Sequence, residues 1–343
     1  MASFIIIGAG RIADRHVRAI QECGGDLIGV FDIDQEKMNC FCTTHNAGPI
    51  ESFEQAKLIN PDYFVICTDS GSHYDLAMEL VDVAKGLIIE KPMCVSLQDS
   101  QKLVEKAQQN NTQLFVAHQN RFNHSVQFAK KYLSDNSIDR VNFGNVTMRW
   151  CRDDAYYAQA SWRGTFKDDG SVISNQAIHH LDLLIHFLGR HESVFAFGET
   201  FGSKIEVPDT VMACVRFASG AMATIEATTA IRPKNIEASL TLSWNTGTLK
   251  IGGTAANKID YLISQNEMPE LKGEAFAEDS ADVYGVGHIE LYRHVVEEIE
   301  CESLVSGADS LSVLKLINDI HVSLEENREV LFSEDRYSKY LGQ

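Results

Sequence analysis

Cations are scarce in this chain: 30 Lys and Arg stand against 48 Asp and Glu, giving a formal charge of -18 and a pI near 5.0. A phosphate backbone or an anionic bilayer rewards clustered Lys and Arg, so neither nucleic acid nor a membrane surface is an expected partner. An anionic small substrate would need a locally basic pocket. Long apolar runs are missing as well. Nothing approaches the roughly 20 residues of a membrane span, and Phe4-Ile5-Ile6-Ile7 is too short for a signal-peptide core, so a cytoplasmic protein is expected. The cysteines Cys23, Cys40, Cys42, Cys67, Cys94, Cys151, Cys214 and Cys301 form no CxxC pair and have no His at metal-ligand spacing, which reads as reduced thiols. Internal repeats, low-complexity tracts and heptads are absent too.

What is present is a regular alternation. At 343 residues with 44% hydrophobic and 23% charged residues, the chain is long enough for two domains. Ser3 to Ile7 reads as a buried strand, followed by Gly8-Ala9-Gly10-Arg11-Ile12-Ala13 and a helix with Ile12, His16, Ala19 and Ile20 on one face. Strand, glycine turn and helix N-terminus suit a dinucleotide pyrophosphate, because a Cβ would block the bend and the helix end supplies oriented N–H groups. The next strand, Leu27 to Phe31, ends in Asp32, where an acid would accept from ribose hydroxyls and repel a 2′-phosphate; Ile33 and Asp34 offer no cation to rescue one. NAD is therefore expected rather than NADP. Further strands at 63–67, 87–89 and 114–117 alternate with helices at 52–58, 72–85 and 96–109, which predicts a doubly wound parallel sheet over residues 1–119. Ligands bind such sheets beyond the carboxyl ends of the strands, where Gly8, Gly10, Asp32, Thr68-Asp69-Ser70, Glu90-Lys91 and His118-Gln119 fall.

From residue 120 to 343 the texture changes to longer alternating segments at 141–152, 194–201, 210–217, 221–230, 236–244 and 248–251, mostly antiparallel, with hairpin turns at Ala218-Ser219-Gly220 and Asn245-Thr246-Gly247. One helix, Ser174 to Leu188, carries Asn175, His179 and Asp182 at helical spacing on one face. Helices at 287–301 and 311–328, with Leu291, Val295 and Ile299 among their apolar positions, are expected to cover the sheets, and Tyr337, Tyr340 and Leu341 suggest a docked tail. A metal at His179-His180-Asp182, with His186 nearby, is not expected, since adjacent helical residues point about 100° apart.

Gly8-x-Gly10-x-x-Ala13, Glu90-Lys91-Pro92 and Asn175-x-x-x-His179-x-x-Asp182, in that order, resemble the glucose-fructose oxidoreductase, inositol dehydrogenase and rhizopine catabolism (Gfo/Idh/MocA) family over nearly the whole chain. The resemblance implies an α/β architecture. It joins an N-terminal Rossmann domain to a C-terminal α+β domain whose large, mostly antiparallel open sheet serves homodimer or homotetramer contacts. It also implies NAD(P)-linked oxidation of a secondary alcohol on a sugar or cyclitol, a cis peptide before Pro92, and Lys91 and His179 handling the hydroxyl proton. Gly8, Gly10, Arg11, Ile12, Asp32, Thr68, Ser70, His73, Glu90, Lys91 and Gln119 are expected to bind the cofactor.

Asn175, where many members have aspartate, and Ala160-Ser161-Trp162-Arg163-Gly164 resemble nucleotide-sugar 3-dehydrogenases of surface-polysaccharide pathways. An asparagine cannot stabilise imidazolium by charge, so it would orient His179 or bind a sugar hydroxyl. Arg163, and more weakly Arg121, Arg149 and Arg152, are candidates for an anionic substrate group, and Trp162 for stacking on a sugar or base. Oxidation of a free sugar or inositol, and a silent NAD-binding regulator, remain the alternatives.

Overall fold

The computed structural model describes residues 1–253, 255–265, 271–272, 287–297 and 305–343. Its N-terminal third turns the alternation into β1 (Ser3–Ile7), α1 (Ala13–Glu22), β2 (Asp26–Phe31), α2 (Gln35–His45), β3 (Gly48–Pro49), α3 (Phe53–Ile59), β4 (Tyr63–Ile66), α4 (His73–Leu80), β5 (Gly86–Ile89), α5 (Leu97–Asn110) and β6 (Gln113–Val116). Side-chain oxygens of Asp34, Ser52 and Ser96 cap the starts of α2, α3 and α5, and Asn46, Asn60 and Asn111 end those helices in the left-handed region that asparagine tolerates. Every residue of β4 and β5 is buried, as expected of a sheet covered on both faces. The strands pair in parallel in the order β3-β2-β1-β4-β5-β6. The winding direction reverses between β1 and β4, and that is where such a sheet opens a crevice.

The chain continues through α6 (His124–Asp135), β7 (Phe143–Arg149), α7 (Asp154–Tyr157), α8 (Val172–Asn175), α9 (Ile178–Leu188), β8 (His191–Glu199), β9 (Thr210–Phe217), β10 (Met222–Thr228), β11 (Glu237–Trp244), β12 (Gly247–Gly252), β13 (Lys258–Ser264), β14 (Leu271–Lys272), α10 (Gly287–Val296), α11 (Gly307–Glu326) and β15 (Val330–Leu331). Among the described residues nine strands form one sheet in the order β14-β13-β12-β11-β7-β10-β9-β8-β15, antiparallel apart from β7 beside β10. Both predicted hairpin turns are present, joining β9 to β10 and β11 to β12. The strands alternate cleanly: Val211, Ala213, Val215 and Phe217 face the core while Met212, Cys214 and Arg216 are exposed. Helices α6, α8 and α9 pack on the inner face.

Two compact units result, Met1–Gln119 with His288–Leu311, and Asn120–Gly287 with Ser312–Gln343. The expected second domain ran unbroken from 120 to 343, whereas residues 288–311 group with the first unit. Apolar burial explains the grouping. Tyr292 of α10 is fully buried with its ring 5.6 Å from that of Phe4 in β1, and Val116 N–H donates to Val305 O at 2.9 Å beside β6. Such aromatic pairs add about 0.5–1.5 kcal/mol beyond the area they bury. The predicted helix 287–301 is α10, and its expected continuation through Ile299 to Cys301 lies outside the described residues.

The tail docks as its apolar residues suggested. Leu341 is buried, Gly342 N–H donates to Phe166 O at 3.0 Å, and the rings of Tyr340 and Phe166 lie 5.3 Å apart.

Candidate functional site

In the first unit the glycine turn sits at the reversal between β1 and β4. Gly8 has φ +98, and a Cβ there would stand 2.9 Å from the backbone carbon and oxygen of Cys67 and from Thr68 Cγ2, so a side chain is excluded by both conformation and space. No side chain among the described residues caps α1, whose N-cap is Ile12; Ala13 N–H turns back to Gly10 O at 3.0 Å and Arg15 N–H to Ile12 O at 2.9 Å, and Arg11 is exposed and Ile12 half-buried beside them. Asp32 at the end of β2 is buried. Its Oδ2 accepts from Ala9 N at 2.8 Å and from Lys37 Nζ at 2.9 Å, and its Oδ1 from Asp34 N at 2.9 Å. Burial would raise its pKa, but the Lys37 bond, with those from Asp34 and Ala9, outweighs burial and holds the carboxyl below its ordinary range.

Ile33 and Asp34 offer no cation, as the sequence showed, but Lys37, which that reading did not consider, brings one to Asp32. Lys37 lies three residues beyond the N-cap Asp34, and one helical turn carries it back over the strand end. Thr68 and Ser70 close the end of β4, where Ser72 Oγ donates to Thr68 Oγ1 at 2.7 Å and Asp69 caps the short turn Ser70–Ser72. Gln119, at the far edge, is buried with its Oε1 lacking a hydrogen-bond partner among the described residues. A crowded glycine, an uncapped helix start, a carboxylate and an orphaned amide oxygen together fit a dinucleotide.

Glu90 and Lys91 follow β5, and the Lys91-Pro92 peptide is cis, as the resemblance implied. Glu90 faces protein: Oε1 accepts from His16 Nε2 at 2.9 Å and lies 3.6 Å from His288 Nε2, while Oε2 accepts from Lys91 N at 3.1 Å. His16 Nδ1 in turn meets the Tyr292 hydroxyl at 2.8 Å. Burial works to raise the Glu90 pKa, yet the bonds to His16 and His288 hold it well below the usual carboxylate range. The expected cofactor ligand is therefore a buried anion that anchors the Lys91 backbone. His73 is buried as well, its Nδ1 2.9 Å from Pro92 O and its Nε2 3.3 Å from Thr68 O, so the ring ties two strand-end loops together.

In the second unit the predicted helix 174–188 is two helices. Ala177 N–H reaches Val172 O at 2.8 Å and His180 N–H turns to Ala177 O at 2.9 Å, which breaks the helix at Gln176-Ala177. Asn175 thus ends α8 while His179 begins α9, and the single face expected for them is a corner. Within residues 171–185 every side chain is buried except these two.

Asp169, which sequence reasoning missed, organises this corner. It is buried, and its Oδ2 accepts from Gly164 N at 2.7 Å while Oδ1 accepts from Asn175 Nδ2, so one carboxylate joins the Trp162-Arg163-Gly164 loop to Asn175. Its position in a loop gave no periodic signal. Ser174 Oγ, Gln176 Nε2 and both ring nitrogens of His180 are buried around the same break and lack hydrogen-bond partners among the described residues. Burial lowers the His180 pKa to about 4, so this imidazole is neutral at physiological pH.

The arginine candidates separate. Arg121 is buried in a two-pronged pair with Asp182, its Nε 2.8 Å from Oδ2 and its Nη2 2.6 Å from Oδ1, and Arg149 is paired with Glu226 at 2.6 Å. Both guanidiniums have carboxylate partners, so neither stands ready for a substrate anion. Arg163 and Arg152 have none among the described residues. Arg163 lies over Tyr156 and Trp162, 4.3 and 4.9 Å from the ring centres.

Two family models match the chain: one described as the oxidoreductase family, NAD-binding Rossmann fold, over residues 2–118, and the GFO/IDH/MocA C-terminal domain over residues 126–255. Among solved structures, the WlbA dehydrogenase of Bordetella pertussis, in complex with NADH and UDP-GlcNAcA, is 31% identical with a TM-score of 0.89, covering 97% of this chain and 98% of that one. WlbA of Chromobacterium violaceum, also with NADH and UDP-GlcNAcA, is 30% identical with a TM-score of 0.87, covering 98% of this chain and 97% of that one. The levoglucosan dehydrogenase of Pseudarthrobacter phenanthrenivorans is 26% identical over 66% of this chain and 61% of its own length. The chain spans about three fifths of the first curated relatives it matches.

Proposed function

Because this chain belongs to the Gfo/Idh/MocA family of NAD-binding oxidoreductases, we propose that it oxidises a secondary hydroxyl, such as that at C3, of a nucleotide-activated sugar in surface-polysaccharide or amino-sugar biosynthesis. The observation that carries the substrate class is full-length likeness at 31% identity to a dehydrogenase holding UDP-GlcNAcA. Bound at Gly8, Gly10, α1 and Asp32, NAD⁺ supplies the hydride acceptor. The carbinol carbon gives up its hydrogen as hydride, and its hydroxyl proton must leave in the same event for a ketone to form.

Lys91 and His179 are the groups we assign to that proton. Glu90 fixes the Lys91 backbone through its N–H, and Asn175, held by Asp169, stands with His179 at the one accessible corner of its segment. Retention of a lysine and a histidine at these places favours an enzyme over a silent regulator, which needs neither. The free-sugar reading draws on the levoglucosan dehydrogenase relative.

The test is reduced-nicotinamide formation from NAD⁺ with panels of nucleotide sugars, free sugars and cyclitols. Turnover of a nucleotide sugar that collapses in both Lys91→Met and His179→Asn is the expected result. Activity confined to free sugars or cyclitols would move the substrate class, and no turnover on any panel would remove the enzyme reading.

A further inference from the structure

The loops that follow β7 gather arginines in a chain that has few cations. Arg152 and Arg163 both lie on Tyr156, their guanidinium carbons 5.0 and 4.3 Å from the ring centre, and each also covers an indole, Trp150 at 4.8 Å and Trp162 at 4.9 Å. Bringing two like charges to one ring is unfavourable, and half-burying them adds desolvation. Elsewhere this protein matches half-buried or buried arginines with acids: Arg121 with Asp182, Arg149 with Glu226, Arg328 with Glu334. Here the Nε of both Arg152 and Arg163 is buried without a hydrogen-bond partner among the described residues.

The acids adjacent in sequence are already engaged, Asp153 Oδ1 with Tyr156 N at 2.9 Å and Asp154 Oδ1 with Lys204 N at 3.1 Å. Arg152 is steadied at its other edge, where Nη1 donates to Cys151 O at 2.7 Å and to Asn235 Oδ1 at 3.2 Å. Beneath it Arg232 donates to Gly202 O at 2.7 Å and to Arg152 O at 3.0 Å, which stiffens the loop without removing positive charge. Two guanidiniums stacked on rigid aromatic faces, with N–H edges left over, have the geometry for gripping oxyanions.

We propose that Arg152 and Arg163, backed by Tyr156, form an oxyanion subsite that takes an anionic group of the substrate, a carboxylate or a diphosphate, and so selects a charged sugar derivative over a neutral one. The proposal rests on the sugar-nucleotide reading for its ligand but not for its chemistry. A neutral substrate leaves both forks unanswered, whereas an anion completes them, which gives discrimination of the kind that buried polar groups provide.

Calorimetric titration of the NAD⁺-loaded protein with UDP-GlcNAcA, UDP-GlcNAc, UDP and free glucuronate tests it. In Arg152→Lys and Arg163→Lys, which keep the charge but lose the fork, anion binding should weaken by about tenfold or more while NAD⁺ affinity and the melting temperature hold. Loss for UDP-GlcNAcA and glucuronate alone identifies a carboxylate as the group held; loss for every UDP ligand identifies the diphosphate.

A second readout needs no variant: bound ligand should protect Arg152 and Arg163 of the wild-type protein from phenylglyoxal. Affinities within about twofold of wild type in both variants, absent protection, or a wild-type protein that binds none of these anions would each overturn the subsite. Glucuronate binding that is lost in the variants, with no UDP ligand bound at all, would keep the subsite and remove the nucleotide-sugar reading.

Discussion

Beside a buried carboxylate an amide can face only one way. Asp169 accepts and cannot donate, so Asn175 turns Nδ2 to it and presents Oδ1 on the other side. The residue that replaces a family aspartate is therefore matched to an aspartate six positions earlier. Asn175→Asp should not restore the commoner pattern, because two carboxylates at hydrogen-bond distance cannot both ionise and one pKa rises. We expect kcat/KM at neutral pH to fall by about 10- to 100-fold and to acquire a new pH dependence, with Asp169→Asn/Asn175→Asp recovering much of the loss; the measurement is the pH-rate profile of all three variants.

A similar pairing governs the cofactor acid. Lys37 keeps a cation at Asp32, so Asp32→Ser should weaken NAD⁺ by about tenfold or more and bring NADP⁺ into a comparable range, while adding Lys37→Ala should remove NADP⁺ again. Direct titration with both cofactors decides. Because the folded Asp32 pKa is lowered, the carboxylate's contribution to stability is present above its unfolded pKa and lost as pH falls through the folded one. NAD⁺ affinity should accordingly decline only on the acid side. Asp32 was legible in the sequence because it ends an apolar strand; Lys37 and Asp169 were not, since each acts across a turn that periodicity does not encode.

Elements carry the site through their ends rather than their middles. The β1–α1 turn depends on Gly8, and Gly8→Ala meets a positive φ together with backbone at 2.9 Å, so a loss of about 1–3 kcal/mol in stability is expected, with NAD⁺ binding impaired beyond that. Thermal melts with and without cofactor separate the two effects. The α8–α9 corner depends on its preceding loop, where Gly170 has φ +69 and a Cβ would press on Ser174 at 2.5 Å.

The tail supports that loop through Leu341 and the Gly342 to Phe166 hydrogen bond. Removing Tyr340 to Gln343 uncovers a buried leucine, worth about 1.5–3 kcal/mol, and should raise the KM for substrate while leaving the NAD⁺ dissociation constant unchanged. Strand and helix identities were readable from period 2 and period 3.6. The break at Gln176-Ala177 was not, because an unbroken apolar pattern runs through it and only the backbone bonding reveals the corner.

At the scale of the whole molecule, the nine-stranded sheet leaves one face open. Phe197 is 64% exposed, Met212 54% and Met222 53%, around a ladder of Arg149, Glu226, Glu237 and Lys250. Exposed apolar side chains on a flat face rimmed by charges mark interaction surfaces, and we propose that this face joins copies of the chain. Met212→Lys with Met222→Glu should shift the sedimenting species toward monomer while leaving NAD⁺ binding intact. Both the parallel and the antiparallel sheet could be anticipated from alternation alone, whereas the discontinuity of the first unit could not, since the residues that complete it lie far along the chain.

That discontinuity orders events on the ribosome. When residue 119 has emerged, Glu90 already has His16 and the Lys91 N–H, but His288 beside Glu90 and Tyr292 beside His16 do not yet exist, so the buried cluster is only half assembled. Completion waits for residue 311, on the order of 10–40 s later at ordinary elongation rates. Within this chain, residues 1–119 are therefore made well before the segment that completes their unit.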